Sequence, residues 1–315
     1  MNPLALLYGG VVRARNEMYD RGTLPIRRLQ RPVVSIGNLA VGGSGKTPFV
    51  IALGSLLSQH CVKFDVLSRG YGRATKGVLA VDPKGLPCDF GDEPLLIART
   101  LYMPVIVGED RYGAGLLAEG NARATWHLLD DGFQHRQLAR DFDIVLVNAS
   151  DIHDTLLPAG RLREPLSALH RADAIVLTNE ATVRGLPLRD QQVWRVSRSV
   201  VIPDIQEPCF AFCGIARPER FFNDLKAKPV TLAGTLAFPD HHRYTRADVH
   251  KLLSLRKQHG AKAFLTTEKD AINIGAAMSE LAPLHVVPVQ MQIEDASRVF
   301  DAMISVMRAR KKSPA

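Results

Sequence analysis

The stretch AVGGSGKTP at residues 40–48 follows the apolar run VVSIG at 33–37 and precedes FVIALGSLLSQ at 49–59. A loop that curls its backbone N–H groups around phosphate oxygens needs glycines. It also needs a lysine for the β and γ phosphates and a hydroxyl for Mg²⁺, in the pattern G-x-x-x-x-G-K-[ST]. Gly42, Gly43, Ser44, Gly45, Lys46 and Thr47 meet that need, although Ala40 stands where the pattern has its first glycine. A plain turn between strand and helix is the competing reading. The flanks favour the phosphate loop: β-branched residues end just before it, and a helical apolar pattern opens at Lys46. Pro48 falls in the first turn of that helix, where its missing N–H is tolerated. Guanine recognition would call for N-K-x-D, and TEKD at 267–270 has the wrong order. The expected nucleotide is ATP.

Working outward, short apolar runs recur at 64–68 (FDVLS), 104–108 (PVIVG), 126–131 (WHLLDD), 143–148 (DIVLVN) and 174–179 (AIVLTN). Runs apolar on both faces and separated by crossover lengths predict a mostly parallel sheet flanked by helices, an α/β fold of the P-loop NTPase kind. The pattern loosens over 180–205, which reads as a linker. A second series, at 208–214, 229–234, 263–267 and 285–290, predicts a second, smaller α/β domain. The expected division is 1–190 and 191–315. Between these runs TRADVHKLLSLRKQHG reads as a helix capped by Thr245 and closed by Gly260, with Asp248 where a capping box has Glu or Gln. WHLLDD ends in Asp130 and Asp131, which fits the carboxylate that a P-loop enzyme uses for its metal. Thr47, Asp130 and Asp131 are therefore the motif's candidate Mg²⁺ residues.

The 315 residues carry a net charge of +8, with 46% apolar and 23% charged side chains, values ordinary for a globular protein. A positive balance favours anionic partners. No RNA-binding or zinc-finger spacing occurs, and apart from RARKK at 308–312 the basic residues are scattered, so nucleic acid is not expected. Cys61, Cys88, Cys209 and Cys213 lack the spacing of a disulfide framework or a zinc site and read as reduced core thiols. No run is long enough to cross a membrane. In MNPLALLYGGVVRARNEMYDRG, Leu4, Leu7, Tyr8, Val11 and Val12 share a helix face and arginines follow, the reverse of a signal peptide's order. Two readings stand: a helix lying on an anionic membrane surface, or one packed on the protein's own core.

The motifs VGGSGKTP, SRGYGR (68–73), GDEPLLIA (91–98), DDGFQHRQLARD (130–141), LPAGRLREP (157–165), FCGIARPERFF (212–222) and LTTEKDA (265–271) occur in an order that resembles the tetraacyldisaccharide 4'-kinase family over nearly the whole chain. The resemblance implies ATP- and Mg²⁺-dependent phosphorylation of the 4'-hydroxyl of an acylated glucosamine disaccharide 1-phosphate in lipid A synthesis. It places the protein at the cytoplasmic face of the bacterial inner membrane, peripheral or monotopic. It also implies that Asp92 accepts the hydroxyl proton with His241 assisting, that Arg163 lies near the transferred phosphate and Glu164 near the metal, and that Arg111, Gln134 and His135 contact substrate. An Asp is a weak base, so a histidine that orients it or shares its proton makes chemical sense. Taken alone, Asp92 reads equally as a cap on the helix that follows. His241 and His242 are adjacent and point apart on an extended segment, which disfavours a shared metal. A pairing of Asp92 with His241 would require the second domain to close over the first.

Two other functions stay open on the residues. A nucleotide-driven switch ATPase would use the same loop, but that class carries an extra lysine where this chain has Val41. A membrane-surface module with a vestigial nucleotide site would not depend on Lys46.

Overall fold

The computed structural model describes residues 2–121, 123–178 and 181–312, without side chains after Arg308. Helix α1 (Pro3–Asp20) leads into β1 (Val33–Asn38), the phosphate-loop stretch, α2 (Lys46–Gln59) and β2 (Phe64–Ser68). There follow β3 (Leu79–Ala80), α3 (Pro87–Phe90), α4 (Asp92–Leu101), β4 (Val105–Val107), α5 (Arg111–Gly120), β5 (Trp126–Asp130), β6 (Phe142–Val147), β7 (Ala174–Thr178) and β8 (Gln192–Val200). The remainder comprises β9 (Cys209–Cys213), α6 (Pro218–Lys226), β10 (Leu232–Ala237), α7 (Arg246–Gln258), β11 (Ala263–Thr267), α8 (Glu268–Ile274), β12 (Leu284–Val287), β13 (Val289–Ile293) and α9 (Ala296–Lys312).

Nine strands form one sheet in the order β13-β8-β7-β6-β1-β5-β2-β4-β3, and four form a second in the order β10-β9-β11-β12. The large sheet is parallel except at its edges, where β3 and β13 run antiparallel to β4 and β8. Its central strands are wholly buried because both faces are covered. Val34, Ile36, Ile144 and Val176 face a core with Phe49, Leu53 and Leu57 of α2, Ile97 of α4 and Met303 of α9. Their neighbours Val145, Val147, Ile175 and Leu177 pack on the other side with Leu39, Phe133 and Leu169. This is the P-loop-type α/β architecture with a smaller α/β unit beside it, as the run spacing predicts.

Two boundaries differ from expectation. The stretch 180–205, read as a linker, contains β8, whose Trp194, Val196 and Val200 are buried in alternation while polar residues intervene. HVVPVQ, read as one strand, is divided at Pro288: β12 ends in the small sheet and β13 continues into the large one. A proline lacks the N–H that a continuous ladder would use. The two sheets are therefore joined by a pair of antiparallel strands, β8 and β13, and α9 packs back on the first core. Asn179, the last residue of the sixth run, lies outside the described residues.

Thr245 and Asp248 form a complete capping box on α7, with the Thr245 N–H donating to Asp248 Oδ2 at 2.8 Å and the Asp248 N–H to Thr245 Oγ1 at 3.3 Å. The shorter Asp thus does the work of the usual Glu. All four cysteines are free thiols, but only Cys209 and Cys213 lie in the core; Cys88 is half-buried and Cys61 is exposed just after α2.

Parallel strands of this kind collect their loops at one edge, where ligands bind. The loop after β1, Ser68 at the end of β2 and Asp130 at the end of β5 meet there. A close approach behind them is set by Gly37. A Cβ at that position would lie 2.5 Å from Phe133 Cβ and 2.9 Å from the Phe133 backbone nitrogen, in the turn that carries Asp130 and Asp131. Gly37→Ala is predicted to destabilise the protein by about 1–3 kcal/mol, the usual cost of overpacking, read as a lowered midpoint of urea unfolding.

Candidate active site

A cleft of about 880 Å³ lies between the two sheets. Its floor is Val41 to Pro48, and its walls include Asp92, Asp130, Asp131 and Arg163 from one side and Arg217, His241 and Lys269 from the other. The loop turns through positive φ at Gly42 (75°), Gly43 (41°) and Gly45 (85°), where side-chain-bearing residues would be strained. Gly45 is the cap residue of α2 and makes no side-chain cap bond, so the helix's first N–H groups face the cleft. Lys46 Nζ donates to Asn38 Oδ1 at 3.0 Å and reaches Ser44 Oγ at 3.5 Å and Asp131 Oδ1 at 3.3 Å. Thr47 is buried beside it. This is a cradle for an anion: backbone donors, a helix N-terminus and an ammonium group converge.

Asp130 and Asp131 are adjacent but electrostatically opposite. Asp130 Oδ2 accepts from Ser68 Oγ at 2.9 Å, while Oδ1 is buried without any hydrogen-bond partner. Burial, with Glu93 and Asp131 nearby, pushes the Asp130 pKa up to about 7. Burial also acts to raise Asp131, but Lys46 and Arg163 outweigh it and hold that carboxyl at about 2. Arg163 Nη1 donates to both Asp131 oxygens, at 3.1 and 2.9 Å. Asp131 itself sits at φ 51°, in the left-handed region, which turns its side chain toward these cations.

Among the described residues no three His, Cys, Asp or Glu side chains are grouped closely enough to hold a metal alone. Mg²⁺ seldom asks for such a group, because it keeps several waters and takes one or two carboxylates plus substrate phosphates. The unpartnered Asp130 oxygen and the Thr47 hydroxyl fit that donor set.

Across the cleft, His241 Nδ1 lies 2.9 and 3.1 Å from the two oxygens of Asp92. Asp92 is the first residue of α4 and not its cap, which is Gly91 without a side-chain cap bond; its Oδ1 also accepts from the Glu93 N–H at 2.8 Å. Asn273 Nδ2 donates to Asp92 Oδ2 at 3.0 Å. Burial acts to raise the Asp92 pKa; the His241 bond, the Lys269 charge and the Asn273 bond reverse this and lower it. For His241, burial acts downward and the Asp92 bond prevails, raising it. His241 is held at φ 57° and its ring lies 5.1 Å from that of Tyr71. His242 turns away and contacts Asp248 Oδ2 at 3.1 Å.

The remaining predicted residues divide. Gln134 braces the loop, donating to the Asn38 carbonyl at 2.9 Å and accepting from Arg163 at 3.4 Å. Arg111 is buried under the rim, donating to the carbonyls of Gly108 and Glu109, with its Nε unpartnered. His135 is in a separate cleft of about 500 Å³ with Tyr19, Asp110 and Tyr112, where burial and Arg111 push its pKa down to about 4. Glu164 does not line the main cleft: Arg171 donates to both of its oxygens, at 2.8 and 3.0 Å, and Asn16 of α1 donates at 2.7 Å. Sequence reasoning missed Lys269, Asn273, Glu93 and Ser68 as site residues. Lys269, Glu93 and Ser68 stand inside motifs already noted, LTTEKDA, GDEPLLIA and SRGYGR, but no spacing rule links residues so far apart.

A family model described as Tetraacyldisaccharide-1-P 4'-kinase matches residues 1–308. The tetraacyldisaccharide 4'-kinase of Koribacter versatilis is 47% identical over 321 residues, covering 99% of this chain and 100% of that one. The enzyme of the same name from Geobacter metallireducens is 35% identical over 326 residues, 96% of each chain. Among solved structures, LpxK from Aquifex aeolicus in complex with ATP matches with a TM-score of 0.77 at 32% identity, over 97% of this chain and 98% of that one. The chain belongs to the tetraacyldisaccharide-1-P 4'-kinase family.

The Asp130 environment sets a stability test. Its folded pKa of about 7 exceeds the ordinary 3.8. Folding is therefore opposed increasingly as pH rises from about 4 to 7, and the penalty is complete above that. Asp130→Asn should raise the melting temperature of the ligand-free protein at pH 8 by several degrees, with the gain vanishing near pH 4.

Proposed function

We propose that this protein is an ATP-dependent kinase that phosphorylates the 4'-hydroxyl of a tetraacylated glucosamine disaccharide 1-phosphate in lipid A biosynthesis. Family membership supports the substrate. The observation that carries the chemistry is the placement of Lys46 in the floor of one cleft whose two walls are bridged by the Asp92–His241 pair.

Phosphoryl transfer is mainly positioning and charge neutralisation. The amides of Gly42, Gly43, Ser44 and Gly45 and the Lys46 ammonium hold the β and γ phosphates. Arg163 neutralises charge on the transferred group, leaving Asp131 to do so. The sugar oxygen bonds to the γ phosphorus as the bridging bond to the β phosphate breaks, and the hydroxyl proton passes to Asp92, which His241 orients. Thr47 and Asp130, with Asp131 beside them, would hold Mg²⁺, which supplies charge neutralisation between the phosphates. Gln134 acts by fixing the loop and Arg163. Arg111 acts from beneath the rim. The arrangement of His135 and Glu164 supports supporting roles, His135 beside the second cleft and Glu164 as a brace between α1 and Arg171.

The smaller sheet and its helices form the unit that closes on ATP, hinged at β8 and β13. Its closing face brings His241 to Asp92.

Helix α1 serves both readings left open by the sequence. Its inner side is fastened to the site: Tyr8 Oη donates to the Arg163 carbonyl at 3.0 Å, and Arg136 pairs with Asp20 at 2.6 Å. Its outer side bares Leu4, Leu7 and Val11, which are 62%, 67% and 61% exposed. No described helix is long and apolar enough to cross a membrane. Such a stripe followed by arginines suits an interfacial helix at the cytoplasmic face of the inner membrane. Burying each side chain fully would contribute ~1.5–3 kcal/mol, which supports reversible attachment.

Labelled ATP and the acylated disaccharide 1-phosphate should yield label on the 4' oxygen; folded, ATP-binding protein that transfers none would refute the assignment. Lys46→Ala is expected to lower kcat/KM by about 10²-fold or more, comparable to losing a key transition-state donor. Asp92→Asn should retain ATP affinity and lose transfer. A Leu7→Glu, Val11→Glu double variant should leave anionic vesicles while binding ATP normally in a flotation assay; continued attachment would move the membrane contact elsewhere.

A further inference from the structure

Lys269, at the start of α8, is surrounded by acceptors from both sides of the cleft. Its ammonium is 3.1 Å from Asp240 Oδ1, 3.4 Å from Glu93 Oε1 and 3.2 Å from His241 Nε2. Asp92 Oδ2 is a more distant ion-pair partner at 3.9 Å. An ammonium group has three N–H donors and no acceptor. Three donors therefore meet three near partners, and the contact to His241 is a hydrogen bond only if Nε2 carries a lone pair. The ring proton must then reside on Nδ1, which faces both oxygens of Asp92. The opposite tautomer would set donor against donor at Nε2 and lone pair against carboxylate at Nδ1.

We propose that Lys269 is a positioning residue for phosphoryl transfer: it fixes His241 as the Nδ1–H tautomer, so that the ring donates to Asp92 and aims that carboxylate at the substrate hydroxyl. The inference rests on the kinase reading above and assigns a residue to the pair that does its proton chemistry. Lys269 also ties α8 to Glu93 of α4, so the same side chain that sets the tautomer holds the two walls together. It is half of a chain, Lys269 to His241 to Asp92, that crosses the cleft from one unit to the other.

The charged and polar groups facing the ring act in opposing directions. Asp92 from α4 and Asp240 at Nε2, 3.7 Å away, favour the imidazolium. Lys269 disfavours it, Glu93 and Asn273 bear on the ring through Lys269 and Asp92, and the Tyr71 ring covers one side. Lys269 remains charged in this setting: burial acts against its proton, and Glu93, Asp92 and Asp240 more than restore it. Without Lys269 the ring would hold a second proton to higher pH, and Asp92 would lose a cation that favours its ionised form. Both changes move the acidic limb of the rate profile the same way.

The test uses the full-length chain with Lys269→Met and Lys269→Arg. Steady-state transfer is measured against pH, and ¹⁵N–¹H correlation spectra report the histidine ring nitrogens, with His241 assigned by its loss in His241→Ala. Lys269→Met should lower kcat ~10–100-fold, less than the ~10²–10⁴-fold that a general acid or base itself contributes, with the KM for ATP little changed. Its acidic limb should move upward, and its His241 Nε2 should carry a proton to higher pH than in the parent, while Nδ1 keeps its own. Lys269→Arg, which keeps a donor and a charge, should recover part of both. A parent spectrum with the proton on Nε2, or a Lys269→Met protein that keeps the parent's limb and Nε2 titration while losing rate, would overturn the proposal. If the parent does not phosphorylate the lipid at all, the kinase reading fails, and the spectra still decide whether Lys269 sets the tautomer.

Discussion

The carboxylate of Asp130 is buried at the end of β5 with one oxygen unpartnered, an electrostatic cost set beside the cations of the phosphate loop. An ionised group in a low-dielectric site needs a counter-charge or gives up its charge. Lys46 and Arg163 could have supplied it, but both are held by Asp131. The loop's cations are thus paired with one aspartate while its neighbour favours protonation. In the proposed mechanism a polyphosphate with a divalent cation would resolve both problems: the phosphates would take over Lys46 and Arg163, and Asp130 would hold the metal.

The second constraint is geometric. Asp92 belongs to the large sheet's unit and His241 to the smaller one, so their hydrogen bond exists only when the units are together. The strands that join them, β8 and β13, are few, and the cleft lies between. Lys269 on Glu93 and Asn273 on Asp92 add further polar contacts between the two units. Polar contacts of this kind separate more readily than a dry apolar interface, which suits a cleft that must admit and release nucleotide.

Much of this was legible in the chain. VVSIG before GGSGKT, an apolar helix after it, and two aspartates closing a later strand follow from local physics: period, glycine freedom and helix capping. What was not legible depended on distant packing. The stretch 192–200 reads as linker because its alternation is half polar, yet Trp194 and Val196 are buried against a helix about a hundred residues later, α9. HVVPVQ reads as one strand because a single proline does not announce that the chain changes sheets. Glu164, which the family resemblance places near the metal, makes two charge-assisted bonds with Arg171, a partner seven residues on that no motif announces. Lys269 escaped notice because its partners at 92–93 and 240–241 are far apart in sequence.

The central claim is that this cleft holds a triphosphate between Lys46 and the Asp92–His241 pair. A crystal structure of the chain with a non-hydrolysable ATP analogue and Mg²⁺ tests it most directly. The account predicts the β and γ phosphates on the amides of Gly42 to Thr47, Lys46 moved from Asp131 onto them, the metal at Asp130, and Asp92 with its His241 bond intact facing the γ phosphorus. Nucleotide seated elsewhere, or bound at the loop with Lys46 still on Asp131 and Asp92 turned from the γ phosphate, would contradict it.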